Sequence, residues 1–302
     1  MNSGTSHVYW VGDCLDLLKD MPDQSVDLVL TSPPYEDART YGIGFKLKGQ
    51  DWVDWCIPRF QECLRVCRGL VAWVVEGKTR QFRWSATPAL LMADLHRAGV
   101  KLRKPPIYRR CGIPGSGGPD WLRNDYEFIV CASHGKLPWS DNTAMGAPCK
   151  FAPGGDPSHR LQDGRRANGG CREFHYNGSG RRDRNGERQS AHYKPPELAN
   201  PGNVIYAPVG KGSIGHELSH LNEAPYSERL CEFFIRSFCP PGGTVLDIFG
   251  GSGTTSCVAK KFGRNSISMD IRESQREIWE KRVNDPCYTP ADPQTSGAAR
   301  AP

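Results

Sequence analysis

The stretch Val245-Leu246-Asp247-Ile248-Phe249-Gly250-Gly251-Ser252-Gly253-Thr254-Thr255 predicts a buried strand, a glycine-rich turn and the start of a helix. Glycines in such a turn let the backbone approach a ligand closely, and the amides of the following helix point toward it. A dinucleotide-binding fingerprint would need glycine three positions beyond Gly253, where this chain has Ser256. A P-loop would need a lysine after the glycines, and there is none. The acid at the strand end, Asp247, suits a cationic amino-acid group better than a pyrophosphate.

A second acid, Asp270, ends the next predicted strand, residues 266–270. An acid in this place can bind both hydroxyls of a ribose, as in other nucleotide-binding α/β folds. Taken alone, Asp270 can equally be an ordinary residue at the end of a strand. The glycine-rich turn and Asp270 together favour an adenosine-containing cofactor.

The residues Thr31-Ser32-Pro33-Pro34-Tyr35 follow a third predicted buried strand, residues 26–30. A Pro-Pro pair has fixed φ angles and no backbone donors, so it predicts a stiff loop. The loop carries a hydroxyl, two free carbonyl groups and an aromatic ring. Such a set can bind a flat heterocycle that bears an amino group. The alternative is an ordinary turn that ends a strand.

Strand-like and helix-like segments alternate on both sides of a polar middle region, which predicts an α/β fold with a parallel sheet. The middle region, residues 137–200, holds only three side chains of the Leu, Ile or Val type and cannot build a large core. It is either a disordered charged insertion or a loop-rich arm that contacts phosphates and bases. The predicted strands are 26–30, 70–75, 126–131, 244–249 and 266–270, and the helices are 52–67, 86–98, 227–238, 254–262 and 273–283.

Composition limits the class of protein. A net charge of +6 over 302 residues fits a polyanionic partner or a merely basic soluble protein.

Twelve cysteines without any C-x-x-C pair predict reduced thiols in a cytoplasmic protein, rather than zinc or disulfides. His216 and His220 have helical spacing but no third ligand nearby in sequence, so no metal is predicted. No apolar run reaches the roughly 18 residues that cross a bilayer, and the first seven residues do not resemble a signal peptide.

Together, the Thr31–Tyr35 loop and the turn that follows Asp247 resemble the catalytic and cofactor motifs of the DNA amino-methyltransferases. These enzymes use S-adenosylmethionine to methylate N4 of cytosine or N6 of adenine. The catalytic motif precedes the cofactor motif here, which resembles the permuted, or beta, arrangement of the family. The resemblance implies a Rossmann-like methyltransferase fold with a mostly parallel seven-stranded sheet flanked by helices. It also implies a catalytic half at 8–136 and a cofactor-binding half at 203–285, which leaves 137–202 as the target-recognition insertion, whose composition predicts loops. The Pro, Ala and Ser content predicts a disordered tail at 286–302.

The resemblance carries over to individual positions. Asp13 matches a residue that contacts the cofactor adenine, Asp270 matches the ribose-binding acid, and Asn222 and Ala224 match a segment that closes over the methionine end. Ile248 stands where many relatives have proline. The catalytic residues implied are Ser32, Pro33, Pro34 and Tyr35, and the cofactor-binding ones are Asp13, Asn222, Ala224, Asp247, Phe249, Gly250, Gly251, Ser252, Gly253, Thr254 and Asp270. The middle region matches no segment of the family, and its basic clusters, not the resemblance, indicate the DNA-binding residues Arg165, Arg166, Arg181, Arg182 and Arg184.

The family chemistry is a direct SN2 transfer to the exocyclic amine of a base flipped out of a duplex. Members with Ser ahead of Pro-Pro mostly methylate cytosine N4, whereas Asp mostly goes with adenine N6, so Ser32 favours cytosine. Two rival interpretations are an RNA or protein methyltransferase and a catalytically silent relative. Expected partners are double-stranded DNA, a second copy of the chain and a cognate restriction endonuclease, in a prokaryotic cytoplasm or encoded by a phage.

Two further segments have open interpretations. Glu76-Gly77-Lys78 either lines the site or forms a plain turn at a strand end. Arg109-Arg110 and the loop at 112–118 either follow a DNA backbone or form a solvated turn.

Overall fold

Strands and helices alternate in the structure, a computed structural model that describes residues 4–37, 43–110, 120–148, 198–208, 215–222 and 224–288. Each strand and helix that the sequence predicts is present, with bounds that differ by a few residues at most. The strands are β1 (His7–Val11), β2 (Val26–Thr31), β3 (Cys67–Val75), β4 (Thr79–Arg80), β5 (Arg83–Trp84), β6 (Ile107–Arg109), β7 (Tyr126–Ala132), β8 (Val204–Tyr206), β9 (Thr244–Asp247) and β10 (Asn265–Asp270). The helices are α1 (Cys14–Lys19), α2 (Gly49–Val66), α3 (Thr87–Arg97), α4 (Glu228–Phe238), α5 (Thr254–Lys261) and α6 (Glu273–Val283).

One large sheet runs in the order β1-β10-β9-β2-β3-β7-β6-β8. The first five strands of this order are parallel to one another. Strand β7 is antiparallel to both of its neighbours, β3 and β6, and β8 is parallel to β6. The described residues therefore form eight strands in this sheet, where the resemblance implied seven. The short edge strand β8 pairs Val204 with Ile107. Three residues are too few to show a hydrophobic period in the sequence, which is why this strand was not predicted.

The two motif-bearing strands, β2 and β9, are neighbours, although 216 residues separate Thr31 from Asp247. They are parallel, with Leu28 opposite Val245 and Val29 opposite Leu246. Both motif loops therefore leave the sheet at the same edge, at the carboxyl ends of the central strands, which is where open α/β sheets bind ligands.

Apolar side chains cover both faces of the sheet. Along β3, Val71, Trp73 and Val75 pack into the core beneath α2 and α3, whereas Leu70, Ala72 and Val74 pack into the core beneath α4 and α5. Because both faces are buried, the central strands read as unbroken apolar runs. The expectation of reduced core thiols is confirmed for eight of the nine described cysteines: Cys14, Cys56, Cys63, Cys67, Cys131, Cys231, Cys239 and Cys257 are free and buried, whereas Cys287 is free and exposed.

The chain divides into two units, Met1–Ala144 with Gly202–Pro302, and Met145–Pro201. All the elements above belong to the first unit. In the second, an antiparallel bridge joins Pro148 to Leu198. Most of the expected insertion at 137–202 and of the tail at 286–302 lies outside the described residues, so those boundaries stay predictions. No helix in the described ranges is long and apolar enough to cross a membrane.

Candidate active site

The catalytic loop and the glycine-rich turn are tied together by one buried hydrogen bond. The hydroxyl of Thr31, the last residue of β2, donates to Oδ1 of Asp247, the last residue of β9, over 2.6 Å. Asp247 is almost fully buried and also accepts bonds from the Tyr226 hydroxyl at 3.0 Å, the Thr255 hydroxyl at 2.5 Å and the Phe249 amide at 3.1 Å. Burial raises its pKa, and these four donors oppose the shift.

A carboxylate has about four lone-pair positions, and at Asp247 all of them are used within the protein. The sequence assigned this carboxylate to a cationic group of the cofactor. The structure instead shows it bonded to both halves of the site. Any direct bond to a ligand has to displace one of the protein donors.

Ser32 and Tyr35 of the catalytic loop are fixed by hydrogen bonds to neighbouring strands. Ser32 Oγ donates to the carbonyl oxygen of Val74 over 3.1 Å. The Tyr35 hydroxyl donates to Glu127 Oε2 over 2.7 Å, and Glu127 Oε1 is paired with Arg110 over 2.5 Å. Burial first, and Glu127 second, raise the pKa of Tyr35. The chain Arg110–Glu127–Tyr35 thus holds the aromatic ring from its hydroxyl end.

The two proline carbonyls of the loop differ. Trp52 in α2 donates its indole N–H to the Pro34 carbonyl over 2.8 Å. The expectation of two free carbonyls is therefore wrong for Pro34. No hydrogen bond to the Pro33 carbonyl is present within the described ranges, which leaves that oxygen available to an amine.

Glu76 lies just beyond β3, one residue past Val75, which pairs with Phe128 next to Glu127. Its Oε1 accepts bonds from the Gly77 amide at 3.0 Å and the Trp84 indole at 3.4 Å, whereas its Oε2 is buried without a partner. Burial, and then the nearby charge of Glu127, raise the pKa of Glu76 to about 7. A carboxyl group that changes charge near neutral pH beside the catalytic loop is a candidate for proton transfer.

The glycine-rich turn adopts backbone angles that favour glycine. Gly251 and Gly253 have φ of +48° and +86°. A Cβ at Gly253 would lie 2.3 Å from the Trp279 ring, and one at Gly251 would lie 2.7 Å from the Asn222 amide. The turn therefore packs against α6 and against Asn222, as well as leading into α5.

The rest of the turn is held by Arg282, which the sequence analysis did not single out. This fully buried guanidinium donates to the carbonyl oxygen and the hydroxyl of Ser252, both at 2.9 Å, and to the Thr254 hydroxyl at 3.1 Å. Glu228 in α4 pairs with it at 3.3 Å. No local pattern marks Arg282, because it lies at the end of a polar helix 30 residues after Ser252.

The predicted ribose-binding acid, Asp270, ends β10 beside the turn. Its Oδ2 accepts from the Gly251 amide at 3.0 Å, and Arg272 Nη2 donates to the same atom at 3.0 Å. Arg272 Nε bonds Oδ1 at 3.0 Å and Nη2 reaches Asn222 Oδ1 at 3.5 Å. The structure thus brings Asp270 and Asn222 together, and a ribose has to compete with Arg272 for the carboxylate.

The predicted adenine-contacting residue, Asp13, is the N-cap of α1, where it accepts the Leu15 amide at 2.8 Å. Arg59 Nη2 bonds both of its oxygens, at 3.1 and 2.8 Å, and stacks over the Trp55 ring. Trp55 in turn stacks on Phe249, with ring centroids 5.7 Å apart. Asp13 is therefore linked to Phe249 through the side chains of Arg59 and Trp55.

The chain matches a known protein family over most of its length. A model of the N6/N4 DNA methylase family matches residues 26–281, which include both motif loops and the strands that carry them. The chain belongs to this family. It is 27% identical over 275 residues to the orphan methyltransferase M.BamHII of Bacillus amyloliquefaciens, covering 88% of this chain and 92% of that protein.

Solved structures agree on the fold of this DNA methylase. The PvuII DNA methyltransferase, described as cytosine-N4-specific, aligns with a TM-score of 0.63 at 18% identity, covering 93% of this chain and 94% of that one. A protein of Thermus thermophilus, solved in complex with S-adenosyl-L-methionine, aligns with a TM-score of 0.55 at 20% identity, covering 92% and 93%. The expected family and its Rossmann-like α/β fold are thereby confirmed.

The remaining predicted positions of the methylase lie partly in the site and partly away from it. Ala224 is exposed, after the turn that ends at Asn222. Arg110 pairs with Glu127 in the site. Arg109 is more exposed, and its Nε lies 3.5 Å from Asp125 Oδ2. The predicted DNA-binding arginines, Arg165, Arg166, Arg181, Arg182 and Arg184, lie outside the described residues, as does the loop at 112–118.

Two residues near the C-terminal end of the described chain approach His216. Asp285 and Cys287 place potential ligand atoms within 4.8 Å of His216 and of one another. His216 Nδ1 accepts the Leu218 amide at 3.1 Å, and Nε2 lies 3.2 Å from Asp285 Oδ2. Both ring nitrogens thus already have protein partners, and the cluster ties α6 to the turn before α4.

Proposed function

We propose that this DNA methylase transfers a methyl group from S-adenosylmethionine to N4 of a cytosine flipped out of duplex DNA. One observation carries the proposal: both hydrogen-bond partners of the Ser32 hydroxyl accept its proton, the Val74 carbonyl at 3.1 Å and the Tyr35 hydroxyl at 3.4 Å, because Tyr35 donates its own proton to Glu127. A hydroxyl has one proton and two lone pairs, so either bond leaves Ser32 as an acceptor. A hydroxyl held as an acceptor suits an exocyclic NH₂ group, which has only protons to offer.

The residues around the glycine-rich turn fit an adenosine-containing cofactor. The turn is a cradle of positive-φ glycines at the start of α5, with the acid Asp270 at the adjacent strand end and the partly buried Phe249 nearby. Family membership and the neighbour solved with S-adenosyl-L-methionine support this choice. Bound there, S-adenosylmethionine supplies an electrophilic methyl group on a sulfonium.

The chain's own groups then orient the amine. An exocyclic amine conjugated with its ring is a poor nucleophile. When Ser32 and the Pro33 carbonyl accept hydrogen bonds from the two N–H groups of the amine, its nitrogen moves toward a tetrahedral shape and the lone pair of that nitrogen becomes available. Tyr35, held through Glu127, stacks on the base, and the fixed geometry supplies much of the acceleration. Glu76, whose pKa is about 7, accepts the proton that the amine loses.

Cytosine is the preferred base because Ser precedes Pro-Pro, and the PvuII neighbour is described as cytosine-N4-specific. The alternative is N6 of adenine, because both bases present an amine beside a ring nitrogen and the family includes both activities. An RNA or protein substrate and a catalytically silent role receive less support, because the family is described as a DNA methylase and Ser32 to Tyr35 are all present.

The proposed partner is double-stranded DNA, and the proposed location, supported by the bacterial source of the relative, is a prokaryotic cytoplasm or a phage-infected cell. The middle segment at 137–202 is proposed as its target-recognition region. A second copy of the chain and a cognate restriction endonuclease are further proposed partners, for which size measurement in solution and the neighbouring genes are the tests.

The proposal is tested by incubating the protein with duplex DNA, RNA or protein and labelled S-adenosylmethionine, followed by mass spectrometry of the nucleosides. We expect label in duplex DNA as N4-methylcytosine. N6-methyladenine instead would overturn the choice of base, and label only in RNA or protein would overturn the choice of substrate.

Tyr35→Ala and Pro34→Ala are expected to reduce methyl transfer below detection while cofactor binding, measured by calorimetry, persists. Loss of the ring removes the stacking surface, and loss of the proline ring loosens the loop that positions Ser32. Tyr126→Ala, which removes a half-exposed ring from β7, is the matched control. Full activity in either loop variant would show that the loop is not catalytic.

A further inference from the structure

A short hairpin beside the catalytic loop carries an aromatic side chain into solvent. Strands β4 and β5 are joined by the two-residue turn Gln81-Phe82, with Arg80 paired to Arg83 across the hairpin. Phe82 is 90% exposed, although it is a large apolar side chain. A single exposed apolar side chain is common on protein surfaces, so the exposure of Phe82 gains meaning only from the turn that carries it.

The turn is also strained. Gln81 and Phe82 have φ of +47° and +62°, the left-handed region that two-residue hairpins require. Asn and Gly normally occupy these positions, because other side chains clash with the backbone there. Nothing in the packing of Phe82 offsets this strain, since the ring is exposed. A strained residue that no local contact supports is a reason to look for function.

The base of the hairpin is attached to the residues that directly follow Tyr35. The Lys78 amide donates to Glu36 Oε1 over 3.0 Å, and Lys78 Nζ donates to the Asp37 carbonyl over 2.5 Å. Arg80 Nη2 pairs with Asp37 Oδ2 over 2.5 Å. The Glu36 carboxylate also accepts the Gly49 amide at 2.9 Å, which ties this junction to α2.

The other strand of the hairpin contacts the catalytic edge directly. The Trp84 indole donates to Glu76 and lies so close over Gly77 that a Cβ there would be 2.5 Å from its nitrogen. The hairpin is therefore tied to Glu76 by Trp84 and to the residues after Tyr35 by Lys78 and Arg80. On its outer side, Arg83 is exposed and has no ion pair within the described ranges, so the turn presents an aromatic ring beside a free cation.

We propose that the Gln81-Phe82 turn enters duplex DNA beside the target base, with the Phe82 ring occupying the stack that the flipped base leaves. This inference rests on the proposed function. Apolar side chains inserted between base steps are a general way to unstack DNA, and Arg83 can bind the adjoining phosphate. The bonds at the base of the hairpin hold the backbone of the turn in place before DNA arrives, so little ordering of the backbone remains to be done on binding.

The test compares Phe82→Ala and Phe82→Leu with the unchanged protein. Long-read sequencing of methylated plasmid DNA first identifies the target base and its sequence context. Short duplexes of that sequence are then prepared with either the normal partner or an abasic site opposite the target. An unpaired base is easier to flip, so a wedge matters less on the second duplex.

We expect Phe82→Ala to lower kcat/KM on the normal duplex about tenfold or more, because no apolar side chain then fills the gap in the base stack. On the abasic duplex the loss should shrink to about threefold or less, and Phe82→Leu should stay within about threefold of the unchanged protein on both. Val204→Ala, which shortens another exposed apolar side chain on β8, is the matched control and should change neither rate.

Equal rates for Phe82→Ala and the unchanged protein on the normal duplex would overturn the wedge. An equal loss on both duplexes would also overturn it, because it would show an ordinary contact. If the unchanged protein methylates no DNA, the proposed function itself fails and the wedge with it. Thermal unfolding of each variant separates these results from loss of fold.

Discussion

Glu76 shows how a single side chain acquires chemistry from its surroundings. Its carboxyl group faces Glu127 from β7 and Arg110 beyond β6, and it accepts the Gly77 amide and the Trp84 indole. Burial and Glu127 raise its pKa to about 7, and the other three groups limit the shift. In sequence, Glu76 is one acid after a strand, and nothing local distinguishes it from a residue of a plain turn.

Methyl transfer should depend on pH through Glu76. A base works when ionised, so kcat should rise as pH increases through about 7 and level off above it. Glu76→Gln should lower kcat about 100-fold and remove this step from the pH profile. Steady-state rates between pH 5.5 and 9 measure both effects. Glu232→Gln on α4 is the control, and an unchanged profile in Glu76→Gln would exclude the proton-transfer role.

Among elements, the close contact between β2 and β3 depends on one glycine. Their register shifts between Val26 and Leu28, and at this irregularity the backbone of Gly69 faces Asp27. A Cβ at Gly69 would lie 1.9 Å from the Asp27 carbonyl oxygen, so no side chain fits unless the strands separate. Asp27 itself accepts bonds from Arg68 and from the Thr244 amide of β9, so three strands meet there.

Gly69→Ala should therefore lower the free energy of unfolding by about 2 kcal/mol or more, because two backbones must separate. Urea denaturation followed by circular dichroism measures the change. Gly135→Ala, where an added Cβ meets nothing within 4 Å, is the matched control and should differ little from the unchanged protein. A Gly69→Ala variant of undiminished stability would show that the strands adjust without penalty.

At the scale of the whole molecule, basic residues are unevenly placed along the chain. The described unit pairs many of its arginines with acids, including Arg59, Arg65, Arg110 and Arg282. The sequence places further clusters of arginines in the middle segment, outside the described residues. That distribution favours the middle segment as the part that contacts DNA phosphates.

Replacing Arg181, Arg182 and Arg184 together with Ala should weaken DNA binding and lower its dependence on salt. Each lost phosphate contact reduces the slope of log K against log salt by about 0.9, so three contacts give about 2.7. Fluorescence anisotropy with labelled duplex between 50 and 300 mM salt measures the slope, and cofactor affinity should not change. Arg97→Ala, an exposed arginine on α3, is the control. An unaltered slope would place the phosphate contacts elsewhere.

The fold class could be predicted because its signals are local. The apolar runs of β2, β3 and β9 and the spacing of α2 and α4 each depend on a few consecutive residues, and their bounds changed by three residues or fewer. The three-residue strands β6 and β8 carry too few positions for a period, and their presence depends on edge pairing with β7 and with each other. The candidate loops could be predicted because a Pro-Pro pair fixes the backbone and clustered glycines allow unusual backbone angles, and both effects depend on a few adjacent residues.

The sequence alone thus determined the α/β alternation, the family and the two loops that bear its motifs, because the backbone geometry of stiff and glycine-rich segments is set by adjacent residues. Only the tertiary structure decided what surrounds those loops. In it, Thr31 is hydrogen-bonded to Asp247, Tyr35 to Glu127 and Arg282 to Ser252, and the Phe82 hairpin lies beside the catalytic edge. Hydrogen bonds and pKa shifts depend on distances between residues far apart in the chain, and those distances exist only once the sheet has formed.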